Sequence, residues 1–176
     1  MKALKRLGIG LAGLMLTTTL VLAAEATKPT DPEIAHIAYT ADTIDIQAAE
    51  HALKTSKNKA VRNFANDMVR DHEAVNKQAL ALLAKLKVEP KDNVTSQALV
   101  KQADATAKHL ATLKGAAFDK AYVDNEVAYH HAVNTALETT LIPATQNAEL
   151  KDLLTTGLQI FKGHEEHARM VAGELK

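Results

Sequence analysis

Cysteine is missing from this chain altogether. That excludes disulfides, thiolate metal ligands and a lipid-modified N-terminal cysteine. Aromatic residues make up only 3% of the sequence and tryptophan is absent. A core must then rest on Ala, Leu, Val and Ile, which suits helix packed on helix. Seven glycines and four prolines in 176 residues are few for a β-rich chain with many turns. An excess of either charge is also lacking, since 21 basic residues balance 21 acidic ones. Neither a nucleic-acid footprint nor a strongly acidic tail is present. A Gly-rich phosphate loop and a Ser nucleophile elbow are absent too, so phosphoryl and hydride chemistry lack their parts. No catalytic residue is assigned and no organic cofactor site is expected.

What the chain does have begins with a leader. Lys2, Lys5 and Arg6 precede an apolar stretch from Leu7 to Ala24, and cleavage after Ala23, Ala24 or Ala26 fits the small residues there. Residues 1–24 are expected to be an export signal peptide, 25–30 a short polar lead-in, and 31–176 one helical domain. The stretch is only marginally long for a membrane span, and no second span follows. The expected location is the periplasm or cell envelope, with no integral span once the leader is removed.

Four long amphipathic helices are predicted. The first starts at Thr30-Asp31-Pro32-Glu33, where Thr30 and Glu33 have capping-box spacing, and runs to about Lys54. The second follows Asn58, from Lys59 to about Val88. A weakly apolar segment, roughly Val94 to Lys114 and closed by Gly115, reads as a connecting helix on the bundle's side. The third long helix runs from about Phe118 to Ile142 with Pro143 as its stop, and Asn147 caps the fourth, Ala148 to Glu174. The economical architecture is an antiparallel four-helix bundle with this connecting helix between the second and third long helices.

Each long helix carries a polar interruption in its apolar stripe: Asp45, His72 with Asp71 beside it, Glu126 and His130, and His164 with His167. Hairpin turns near residues 56–57 and 144–145 would bring Asp45 within a turn of His72, and Glu126 beside His164. Carboxylates and imidazoles converging from several helices are how bundles build metal sites, although the Glu-x-x-His spacing of di-iron bundles is not reproduced. The proposed ligands are Asp45, His72, Glu126, His130 and His164, with His167 and Asp71 as alternatives. The donor types favour Zn, Fe or Mn, and with no Cys and only Met68 and Met170 beyond the leader they disfavour Cu(I). The competing reading is a buried polar network in which Asp45 pairs with His72 and Glu126 with His164, fixing the register of an interaction protein. A dinuclear oxidase ranks third. The protein partner is unspecified, and pairing with a second copy is open.

Phe64-Ala65-x-x-Met68-Val69-x-Asp71-His72, Phe118-Asp119-x-x-Tyr122-Val123, His130, Asn147-x-Glu149-Leu150-Lys151 and His164-x-x-His167-Ala168 together resemble the DUF4142 family. The resemblance spans about residues 42–175. It implies a ferritin-like bundle in an exported bacterial protein and no established activity. His72, His130 and His164 fall on the family's His positions. Asp45 stands where Glu is usual, and Glu126 where Gln is common.

Overall fold

The computed structural model describes residues 28–175. The expected leader lies outside the described residues. The elements are α1 (Asp31–Thr55), α2 (Lys59–Leu86), α3 (Val94–Leu110), α4 (Gly115–Ala136) and α5 (Ala148–Glu174). A π-helical turn (Leu137–Leu141) and a last helical turn (Ile142–Ala144) extend α4. No strand occurs among the described residues.

Local chemistry sets the helix ends. Glu33 accepts hydrogen bonds from the Thr30 backbone N–H at 2.9 Å and hydroxyl at 2.7 Å, closing the first turn of α1. The Asn58 side chain accepts from the N–H groups of Ala60 and Val61, and Asn147 accepts from Leu150. Two boundaries differ from the sequence expectation. α3 stops at Leu110, because the His109 and Leu110 carbonyls are taken by Thr112 and Leu113 in tight three-residue turns. Gly115 does not close α3 but opens α4, with a left-handed backbone (φ +56°) in which a Cβ would be strained. Pro143 does not stop its helix at Ile142 either. Proline lacks an N–H and its ring crowds the carbonyl four residues back. The π-helical turn that precedes Pro143 widens the helix there, and the chain stays helical to Ala144.

α1 pairs with α2 and α4 with α5 through short connections, and α2 packs against α5 to join the two hairpins. α3 crosses from one hairpin to the other, lying mainly on α1. The all-helical bundle expected from the sequence is the fold observed.

The core is split in two. One apolar cluster gathers Ile34, Ile37, Val75, Leu83, Leu137, Leu141, Leu154 and Phe161. The other gathers Ala49, Val61, Phe64, Met68, Phe118, Tyr122, Ala168 and Val171. Each large side chain taken fully from water stabilises the fold by about 1.5–3 kcal/mol. The hairpins are also pinned at one end. Asp31, at the start of α1, accepts the backbone N–H groups of Gln146 (2.9 Å) and Asn147 (2.8 Å) in the α4–α5 connection. Charge-assisted bonds of this kind contribute about 1.5–3 kcal/mol each at most when well shielded. Asp31→Ala is expected to lower the urea-unfolding free energy by about 1–2 kcal/mol with an unchanged m-value. An unaltered unfolding midpoint would refute the pinning.

Candidate metal centre

Between the two apolar clusters lies a layer of buried polar side chains. α1 supplies Asp42 and Asp45, three residues apart on one helical face. α2 supplies His72, α4 supplies Glu126 and His130, and α5 supplies His164. None of the six is more than 6% exposed, so they meet in a water-poor interior.

The three imidazoles form a triangle. Ring centroids of His72 and His164 are 5.1 Å apart, those of His130 and His164 5.6 Å, and those of His72 and His130 5.7 Å. Each ring is tied through one nitrogen. His72 Nδ1 and Asp42 Oδ1 are hydrogen-bonded at 2.9 Å. His130 donates from Nδ1 to the backbone carbonyl of Glu126 at 3.0 Å, one turn back on its own helix. His164 donates from Nε2 to Asp71 Oδ2 at 3.0 Å. Among the described residues the other nitrogen of each ring is buried without a hydrogen-bond partner: Nε2 of His72, Nε2 of His130 and Nδ1 of His164. Anchoring one ring nitrogen to a protein oxygen fixes the tautomer and aims the opposite lone pair, the arrangement found around metal-binding histidines. Phe161 stacks flat on His72 (4.7 Å, 7°) and holds the ring's orientation.

Two donor groups result. His72, His130 and His164 each offer an atom within 4.8 Å of the others, and so do Asp45, Glu126 and His130. His130 belongs to both. Asp45 Oδ2 is 3.6 Å from His72 Nε2, and Glu126 Oε2 is 3.7 Å from His130 Nδ1. Glu126 shares a side-chain hydrogen bond with Asp45 when one of the two keeps a proton, and among the described residues the buried Tyr122 hydroxyl has no partner.

Burial dominates the electrostatics. It pushes the Asp42 carboxyl up to about 8 and Glu126 up to about 7. Asp45 lies well above the usual carboxylate range, through burial first and then the neighbouring Glu126 and Asp42. Burial also pushes His72 down to about 4 and His130 down to about 3, and lowers His164 against the pull of its Asp71 bond. Tyr122 is raised by burial and by the Glu126 and Asp45 carboxyls. Asp71 differs: hydrogen bonds from Arg70 hold it below its ordinary value. Near neutral pH the layer thus holds uncharged imidazoles, an Asp42 that keeps its proton and a Glu126 close to its midpoint. A cation placed among these donors would favour the ionised carboxyls.

The structure brings Asp45, His72, Glu126, His130 and His164 into one layer. It corrects the pairings expected among them. His72 bonds to Asp42, which the sequence reading passed over, and Asp45 lies farther off. His164 is paired with Asp71 rather than Glu126, and Glu126 sits between Asp45 and His130. Asp71 supports His164 from a half-exposed position instead of pointing into the layer. His167 lies apart, a third exposed, 3.8 Å from Asp67 and edge-on to Phe64. His36 has a buried Nδ1 3.9 Å from Asp92, and His51 meets Phe118 edge-on. Asp42 was legible by the hairpin arithmetic itself: a turn near residue 57 places His72 opposite residue 42.

A family profile described as "Domain of unknown function (DUF4142)" matches residues 17–171. No curated protein matches the chain. A solved structure titled "CopM in the Cu(II)-bound form" superposes with a TM-score of 0.65 at 14% sequence identity, covering 85% of this chain and 100% of that one. At that identity the likeness is one of fold.

The protonation pattern gives the metal-free protein an unusual pH profile. Above about pH 6.5 the unfolded chain has lost the protons of its acids and imidazoles, while the folded layer still holds those of Asp42 and Glu126 until about 8 and 7. The folded state then binds more protons, so stability falls as pH rises through that window, by about 1.4 kcal/mol per pH unit for each such group. Below that window the imidazoles, protonated only when unfolded, oppose the trend. Urea unfolding of chelator-treated protein is expected to show a loss of stability from pH 6.5 to 8, reduced in Asp42→Asn. A rise over that range would contradict the burial argument.

Proposed function

The chain belongs to the DUF4142 family, and we propose that it binds a divalent transition-metal ion in the polar layer of its bundle. His72, His130 and His164 are the principal ligands, and Asp45 and Glu126 complete the donor set. The observation that carries this reading is the trio of buried ring nitrogens without partners, each opposite a nitrogen bonded to a protein oxygen.

A purely structural network accounts for this poorly. Buried polar groups kept for register are normally satisfied, because each unmet group costs about 1–3 kcal/mol. Here three imidazole nitrogens remain unmet in one small volume. A divalent ion would meet them together and take the place of the protons on Asp45 and Glu126. Asp42 and Asp71 would then act behind the ligands, accepting from His72 and His164 and raising their basicity.

Three imidazoles with carboxylate suit Zn(II), Fe(II) and Cu(II), and affinity at a given nitrogen and oxygen site generally peaks at Cu(II). The bundle named CopM, solved with Cu(II), has the same fold, which favours testing Cu(II) first. Zn(II) and the Fe and Mn expected from the donor types follow it. A dinuclear oxidase is disfavoured, because the two donor groups share His130 rather than supplying separate sets. With the leader expected over residues 1–24, the physiological reading is an exported metal-binding protein serving metal homeostasis or stress in the cell envelope.

Calorimetric titration of the chelator-treated protein with Cu(II) or Zn(II) tests the site. One equivalent is expected, with protons released on binding and affinity that weakens as the pH falls. Metal present at a hundred times its dissociation constant should stabilise the fold by about 2.7 kcal/mol. His130→Ala, which removes the ligand common to both groups, should abolish binding, whereas His167→Ala should bind like the parent. A melting temperature unmoved by every divalent ion leaves the structural, interaction-protein reading in its place.

A further inference from the structure

One half of the bundle is not filled. Between α1 and α4, with α3 along one side, lies a cavity of about 420 Å³. Its walls are mainly aliphatic, with Ile37, Ala41, Leu83, Val133, Leu154 and Phe161 among them. The small residues Ala128 and Ala132 of α4 line it where they are exposed, so no bulky side chain closes that edge. Protein interiors ordinarily leave few voids larger than a water molecule. An apolar cavity of about 150 Å³ already holds benzene, and small-molecule sites run from about 300 to 1,000 Å³. By that scale this cavity admits roughly 17 non-hydrogen atoms.

The lining also selects by charge. Among the described residues no Lys, Arg or His borders the cavity, and Asp42 is its one acidic residue. Uncharged polar groups come from Tyr39, Thr95, Gln102, Asn125, Tyr129 and Thr140. An anionic head group would find no counter-charge and would meet a carboxyl. A cationic head would be desolvated against an otherwise apolar wall. An uncharged hydrogen-bonding group can use Asp42 and Asn125 while its apolar body replaces water along the leucines.

From this we infer that the cavity is a binding site for a neutral lipophilic small molecule, a chain or ring system with one uncharged polar end directed at Asp42. The inference stands on the cavity alone and does not require the metal reading. It does connect with the polar layer. Asp42 holds the Nδ1 of His72, and Phe161 stacks on the same ring. An occupant therefore touches both side chains that position His72.

The test is a fluorescence titration of the chelator-treated full-length protein with N-phenylnaphthylamine, a neutral probe that brightens in apolar sites. Saturable binding at one equivalent is expected, with displacement by dodecanol. Dodecanoate should compete at least about tenfold less well, a difference of about 1.4 kcal/mol. Ala132→Trp, a substitution at the exposed edge, should weaken probe binding about tenfold or more without moving the melting temperature. Should that variant misfold, Ala128→Trp fills the same edge one helical turn away and carries the same expectation. Non-saturating fluorescence, equal competition by dodecanoate, or full probe affinity in a folded tryptophan variant would each overturn the proposal. None of these outcomes bears on whether Cu(II) or Zn(II) binds, so the two readings fail separately.

Discussion

Imidazole and carboxyl groups have been taken out of water in the middle of a helical bundle, and the rest of the molecule is arranged around that desolvation. Apolar packing lies on both sides of the layer, with the leucine-rich cluster at one end and the Phe64–Phe118–Tyr122 cluster at the other. Such surroundings disfavour any net charge, which is why the carboxyls hold their protons more tightly and the imidazoles lose theirs. Hydrogen bonding satisfies only half of each ring. The layer is therefore tolerable as a neutral assembly and much better suited to a cation that can be shared among its donors.

Helix geometry is what makes the sharing feasible. One face of α1 carries Asp42 and Asp45, one face of α4 carries Glu126 and His130, and single residues from α2 and α5 complete the ring. The anchors come from three different sources: a neighbouring helix for His72, the helix's own backbone for His130, and a half-exposed acid for His164. That last link runs towards the surface, since Asp71 is bonded in turn by Arg70. The route by which α3 carries the chain between hairpins has a separate consequence. α3 rests mainly on α1, and the seam between α1 and α4 is left with small residues and an open volume beside the polar layer.

Much of this could be seen in advance from residue spacing. The stripes and caps located the long helices, Asn58 and Asn147 marked helix starts that the hydrogen bonds bear out, and the polar interruptions picked out the residues of the layer. The misses have specific causes. Asp42 escapes notice when Asp45 is the single polar interruption assigned to α1, whereas the helix turns both acids inward and leaves Ile44 only half-buried. Glu126 was matched with His164 on the assumption of a turn at residues 144–145. The connection lies slightly later, at Thr145–Asn147, after a π-helical turn, so His130 is the residue that meets His164.

The amino-acid sequence by itself determined that this protein is a helical bundle and that every long helix would bring a polar group to its buried face. Both follow from periodicities confined to one helix at a time. Tertiary structure alone decided which carboxyl serves which imidazole, which nitrogen of each ring is left free, and that a cavity lies alongside. Those outcomes turn on shifts of about one helical turn, roughly 5.4 Å, between neighbouring helices. Hydrogen bonds tolerate only a few tenths of an ångström, so register between hairpins, which no single helix encodes, settles the chemistry of the layer.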